Sequence, residues 1–173
     1  MKNAAAKYLA LLQSPNEDER HEARLALGGV EPEDNWEIAP LILAAASSNT
    51  DLVFWSVTAL GRLRHRAESA VRTLGDLARS HPAFGVRQAA LHALSEIDPG
   101  SSIARAAIFS AFEDESPFVR REALQSAISV PAHTAEELEQ IGAMAADPDQ
   151  TVSAWSEVAL RNIRVRGKSD HAL

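Results

Sequence analysis

The residues able to hold a metal or move a proton are present in this chain but scattered. His21-Glu22, inside Arg20-His-Glu-Ala-Arg-Leu-Ala-Leu-Gly28, sets an imidazole beside a carboxylate, a ligand pair that a transition metal accepts. One such pair leaves most coordination positions empty, so a metal centre would need several of them converging. The other histidines, His65, His81, His92, His133 and His171, show neither i,i+4 pairing nor an H-E-x-x-H spacing. There is no cysteine, which excludes a thiol nucleophile, disulfides and thiolate metal sites. No serine sits in a G-x-S-x-G elbow. Gly28-Gly29 follows a helical pattern and reads as a helix terminator rather than a phosphate loop. Glu113-Asp114-Glu115 precedes a helix, where acids favour the macrodipole, and the basic runs Arg62, Arg64, Arg66 and Arg161, Arg164, Arg166, Lys168 stand at helix ends, where cations do. These residues predict no catalytic constellation, no metal and no cofactor.

Composition narrows the partners. The chain has 173 residues, 46% hydrophobic and 24% charged, an ordinary globular balance for one compact domain. Its net charge is −7, which disfavours general affinity for nucleic acid, since that rests on Lys and Arg neutralising phosphates. The first third is acidic, with nine acids against four bases through residue 60. No apolar run reaches the roughly 18 residues of a membrane span. The start, Met1-Lys-Asn-Ala-Ala-Ala-Lys-Tyr8, lacks the apolar core of a signal peptide. A cytoplasmic location is expected.

What must position any functional residue is a repeat. Val86-Arg-Gln-Ala-Ala-Leu-His-Ala-Leu-Ser-Glu-Ile97 has four near-copies, and the five end at Val30, Leu63, Ile97, Val130 and Ile163, spaced 33, 34, 33 and 33 residues apart. A constant interval of this size is the mark of a stacked repeat architecture. With position 0 at Glu19, Leu52, Val86, Val119 and Val152, position 4 is Ala23, Ser56, Ala90, Ala123 and Ser156, and position 7 is Ala26, Ala59, Ala93, Ser126 and Ala159. All are small. Position 8 is Leu27, Leu60, Leu94, Ala127 and Leu160, and position 11 is the closing aliphatic. Positions 0, 4, 7, 8 and 11 trace one helix face; the small residues admit a close neighbour and the large ones fill the space beside it. Position −3 is Asn16, Asn49, Ser116 and Asp149, with Ala83 the exception, and these side chains suit an N-cap. Pro15, Pro82 and Pro148 lie just before them, and Pro117 falls within a first turn, where its missing N–H costs little.

Each of these second, or B, helices follows a first, or A, helix. The A segments are expected within Asn3–Ser14, Asn35–Ser47, about Glu68–Ser80, about Ser101–Glu113, and from Thr134 to about Ala146. Pro40 should kink the second or delay its start. Thr134 with Glu137 predicts a capping box. The expected organisation is one solenoid over 1–164 with repeats at about 3–30, 35–63, 68–97, 101–130 and 134–163, and a disordered tail over 165–173. The fold class is all-α, five antiparallel helix pairs in a right-handed α-α superhelix.

The arrangement resembles the HEAT-repeat family, whose second helices read V-R-x-x-A-x-x-A-L-x-x-L after Asp/Pro. Val86-Arg87, Ala90, Ala93-Leu94 and Ile97 match best. Val119-Arg120-Arg121-Glu122-Ala123 matches until Ala127, and the first and fifth copies depart at Glu19 and Ser153, as terminal copies facing water do. The resemblance covers about residues 3 to 163. His21-Glu22 also looks like the His-Glu motif of deoxyhypusine hydroxylase, a HEAT-type di-iron enzyme, but the matching pairs are Phe54-Trp55, Gln88-Ala89, Arg121-Glu122 and Ala154-Trp155. Four of the five lack the histidine. HEAT-like DNA glycosylases, which bind duplex in a basic channel, are a second possibility through the runs Arg62, Arg64, Arg66 and Arg161, Arg164, Arg166, Lys168; HEAT-like phycobiliprotein lyases are a third, which nothing in the sequence selects.

The family resemblance implies that B helices line a concave face. Positions 1, 2, 6 and 9 would then point into it, bringing together Arg20, His21, Phe54, Arg87, Gln88, His92, Arg120, Arg121, Gln125 and Arg161. Exposed aromatics beside arginines have the composition of interface anchors, although Phe54 and Trp55 could equally pack between repeats. The expectation is a non-catalytic protein-binding solenoid, an adaptor or dedicated inhibitor such as an immunity-type protein that occludes a toxin. Its partner is another protein. The alternative is a HEAT-like enzyme or DNA-binding protein, glycosylase-like or metal-dependent.

Overall fold

The computed structural model describes residues 4–169, with side chains through Arg166. The described residues form helices and loops without a strand. In chain order the helices are α1 (Ala4–Leu11), α2 (Glu17–Gly28), α3 (Ile38–Ala45), α4 (Thr50–Arg62), α5 (Val71–Ser80), α6 (Phe84–Ile97), α7 (Ser102–Ser110), α8 (Pro117–Ala127), α9 (Ala135–Ala143) and α10 (Gln150–Ser169). Short 3-10 turns at Arg64–Ala70, Ala111–Glu113 and Met144–Ala146 flank α5, α7 and α9. The odd helices are the A helices and the even ones the B helices. Each B helix packs on the next, from α2 to α4, α6, α8 and α10, and each A helix lies against its own B helix.

The helices start and stop for local reasons. Asn16 and Asn49 cap α2 and α4 by accepting from Asp18 and Asp51 N–H, and Asp149 accepts from Thr151 and Val152, each quenching a free first-turn donor. Thr134 and Glu137 close the expected capping box. Pro40 is the third residue of α3, which begins only at Ile38, so the proline delays the helix and sits where it lacks no bond. Ser116 does not cap α8 with its side chain; Asp114 accepts the Ser116 N–H instead. Residues 165–169, expected to be loose, continue α10 as helix, with Arg166 donating to the Ile128 carbonyl at 2.5 Å. Residues 170–173 lie outside the described residues.

The core follows the repeat. All five residues at position 4 are buried, and Leu27, Leu60, Leu94 and Ala127 at position 8 are fully buried. Leu160, on α10, is only half-buried. Small residues set the helix spacing: a Cβ added at Gly61 would come within 3.0 Å of Ala93 Cα, and one at Gly28 within 3.2 Å of the Trp55 ring. Arg64 has a φ of 51°, the left-handed conformation that ends α4 and turns the chain into the following 3-10 segment.

Candidate functional site

Two of the arginines expected on an open face are part of the scaffold. Arg87 is 6% exposed. Its Nη1 donates to the carbonyls of His81 and Pro82 before its own helix, at 2.8 and 3.2 Å. Its Nε and Nη2 grip Asp114 of the next repeat at 2.7 and 2.9 Å. Arg120 repeats the arrangement one layer on, with the Asp114 and Glu115 carbonyls and a two-bond grip on Asp147 at 2.7 and 2.9 Å. Arg20 makes the first half of it, donating to the Ser14 carbonyl at 2.6 Å and pairing with Glu17. A helical wheel points position 1 outward, but a long guanidinium can turn back along the axis to the unpaired carbonyls and anchor there. Arg87 and Arg120 are therefore withdrawn from the expected binding set.

Burial opposes charge on Asp114, yet the Arg87 and Ser116 hydrogen bonds overcome it and hold the carboxyl below its ordinary range. The Arg120 hydrogen bonds hold Asp147 down more directly. Arginines also fasten the loops between repeats. Arg62 donates to the Val30 carbonyl at 3.1 Å and pairs with Glu31; Arg66 reaches the carbonyls of Pro32, Asp34 and Trp36; Arg105 grips Glu137 at 2.6 and 2.8 Å. The Arg62–Arg66 run thus does more than offset helix charge, which the reading of helix ends alone did not reveal.

The other expected residues divide among three places. His21 on α2 and Arg161 on α10 are exposed and lie far apart in the stack. Phe54 is half-buried and meets Trp55 edge-on, centroids 5.3 Å apart, with Trp55 against Gly28. Trp55 therefore packs at the seam between the first and second repeats, and Phe54 lies edge-on against it. Gln88 and His92 on α6 come together against α8, while Arg121 and Gln125 stand on α8 itself. There the buried Glu122 draws His92 Nδ1 to 3.3 Å and Gln88 Nε2 to 3.4 Å. The His-Glu pair of α2 does not act together in this way: Glu22 is engaged by Lys7 at 3.3 Å. Among the described residues, no group of three or more His, Asp or Glu is placed to hold a metal.

The Glu122 hydrogen bond raises the His92 pKa above its ordinary value, against burial and Arg62 and with help from Glu96. A raised folded-state pKa makes the stabilising contribution full below the ordinary histidine value of about 6.5 and loses it as pH climbs through the folded value. His92→Gln should therefore narrow in its deficit relative to the parent as pH rises from 6 to 8.5. Because the imidazole is largely exposed, the difference should stay below about 1 kcal/mol. Thermal melts at the two pH values check it; a gap that widens at high pH would refute the assignment.

Between α4 and α6 lies a cleft of about 340 Å³. Val57, Gly61, Ala89 and Ala93 form its floor, and Glu31, Arg62, Arg64, His92 and Glu96 its rim. It exists because small residues stand where larger ones would fill the gap. The sequence points to His92 but not to the cleft, whose small residues also serve helix packing. Two exposed phenylalanines were also missed. Phe84 opens α6, Phe118 lies in the first turn of α8, and their rings stack 5.5 Å apart. The available signal was a pair of aromatics at first-turn positions that are polar in the other repeats.

The family model of HEAT repeats matches residues 5–95 and again 38–126. No curated protein matches the chain. Among solved structures, the complex of CpcE and CpcF of phycocyanin lyase from Nostoc sp. PCC7120 is similar with a TM-score of 0.67 and 20% identity, covering 90% of this chain and 97% of that one. A designed armadillo repeat protein in complex with the peptide (KR)4 is similar with a TM-score of 0.63 and 16% identity, over 93% of this chain and 82% of that one. Computationally designed armadillo repeat proteins for modular peptide recognition give 0.58 and 16%, over 96% and 87%. At these identities the structures speak for a shared helical-repeat fold. The tandem match of the family model across residues 5–126, on a chain whose helix pairs stack in that register, places this chain in the HEAT-repeat family.

Proposed function

We propose that this chain is a non-catalytic protein-binding solenoid that acts by occupying a partner, as an adaptor or a dedicated inhibitor of the immunity type. The observation that carries the reading is the cleft between α4 and α6, with an apolar floor and a charged rim on two adjacent B helices. A recess of that make-up takes an apolar anchor residue of a partner while its rim excludes water and fixes orientation. Two similar structures hold a peptide or another subunit, which supports a protein partner on this fold. The residues able to do chemistry support it too: His21 stands exposed, Glu22 serves Lys7, and Glu122 serves His92 and Gln88.

Ala89 is half-buried on the cleft floor, so Ala89→Trp should fill the recess without entering the core. Affinity capture from native lysate with the parent chain should recover a partner that the Ala89→Trp chain recovers at least about tenfold less, a loss near 1.4 kcal/mol. Equal recovery by both chains, or a preparation whose main ligand is duplex DNA released steeply by salt, would overturn the proposal.

A further inference from the structure

We propose that Phe84, Phe118 and Arg121 form a docking site for an apolar segment of a partner protein that carries a single carboxylate. The proposal rests on the reading of the chain as a protein-binding solenoid and names the chemistry of what it binds.

The two rings belong to adjacent repeats and are 48% and 50% exposed. They stack at 23°, so each covers one face of the other and leaves the outer surfaces open to water. At these first-turn positions the remaining repeats carry Glu17 and Asp18, Thr50 and Asp51, and Gln150 and Thr151. Polar residues suit a solvated helix start, so two phenylalanines there are not required by the fold. The space beside them is free as well: a Cβ added at Gly85 would meet nothing within 4 Å.

Arg121 supplies the charge. Its guanidinium carbon lies 5.9 Å from the Phe118 ring centre, at the reach of a cation-π contact. Its Nε is buried without a hydrogen-bond partner. Arg87 is bound to carboxylates by three bonds and Arg120 by two, whereas Arg121 has no carboxylate within salt-bridge distance among the described residues, and the adjacent Glu122 is turned to His92 and Gln88. An unmatched guanidinium on an aromatic face recruits a carboxylate by two parallel N–H donations. One such cation beside two apolar rings matches one carboxylate in an apolar segment. A single-stranded nucleic acid could stack on the rings, but its regular phosphates need several cations, whereas the rings have the one guanidinium of Arg121 beside them.

The test uses the full chain and four probes: a soluble peptide with a Phe-Leu-Asp-Phe core, the same peptide with Asn for Asp, the same with Ser for Phe and Leu, and a single-stranded oligothymidine. Backbone amide spectra should show the first peptide shifting Phe84, Phe118 and Arg121, the Asn peptide binding about tenfold weaker, and the Ser peptide and the oligothymidine not binding. Arg121→Ala should remove the difference between the Asp and Asn peptides, and Phe118→Ser should abolish binding of both. These side chains lie outside the fully buried core, so the variants should still melt as folded chains; Leu43→Ser, at a residue exposed on α3, serves as the unaffected control. Shifts confined to other residues, equal affinity of the parent for the Asp and Asn peptides, or tighter binding of the oligothymidine would each overturn the site. A partner captured through the Ala89 cleft but held equally by Phe118→Ser and Arg121→Ala chains would overturn this site alone and leave the solenoid reading standing.

Discussion

Arg87→Ala should lower the unfolding free energy by about 3–5 kcal/mol, the cost of removing one partner from a buried ion pair. The side chains of Arg87 and Asp114 are only 7% and 12% exposed. Without the guanidinium, Asp114 keeps its Ser116 N–H bond but loses both side-chain donors, and the His81 and Pro82 carbonyls lose theirs. Urea melts of Arg87→Ala, Asp114→Ala and the double variant separate the pair from its surroundings. The double variant should cost clearly less than the sum of the two. Additive costs would mean that the arginine acts through packing alone. The acid limb gives an independent reading. Asp114 is held below its ordinary pKa, so its contribution is present above about pH 3.8 and is lost as pH falls through the lower folded value. Arg87→Ala should therefore lose less of its remaining stability on acidification than the parent. The same physics rules out charge reversal at Arg87 or Arg120 as a probe of partner binding, because either change would break the scaffold first. Arg121, which grips no carboxylate among the described residues, can be changed without breaking an ion pair.

The periodic part of the molecule was legible because its cause is periodic. Stacking identical helix pairs demands small residues at positions 4 and 7 and a filler at 8, so Ala90, Ala93 and Leu94 announced their burial in advance. The capping box at Thr134 and the delayed start at Pro40 were equally readable, since both act within one helical turn. What stayed hidden joins residues about one repeat apart. Arg87 and Arg120 looked outward on a helical wheel, yet each had an aspartate 27 residues downstream in the same register. That doubled spacing was the visible sign of the ladder. The contact of His92 with Glu122 and the cleft above Ala89 depend on how α6 sits against its neighbours, which no single helix pattern encodes. Phe84 and Phe118 escaped because they lie outside the twelve positions on which the repeat was defined.

Leu94→Ala should cost roughly 2–5 kcal/mol, the range for truncating a buried leucine, and its context points to the upper part of it. Leu94 is fully buried on α6, and α6 packs against α4, α5 and α8 at once. The surroundings can collapse little into the void: Gly61 of α4 already lies close against Ala93, so the helix spacing on that side is at its minimum. The matched comparison is Leu160→Ala at the same position of the last repeat. Leu160 is only half-buried, so its truncation should cost distinctly less. In a stack where each layer is stable through its neighbours, the central truncation should also loosen layers it does not touch. Amide exchange should then quicken in α4 and α8 of the Leu94→Ala chain, while Leu160→Ala should quicken it chiefly in α9 and α10. Equal costs for the two truncations, or exchange that quickens in α6 alone, would mean that the layers hold together independently of one another.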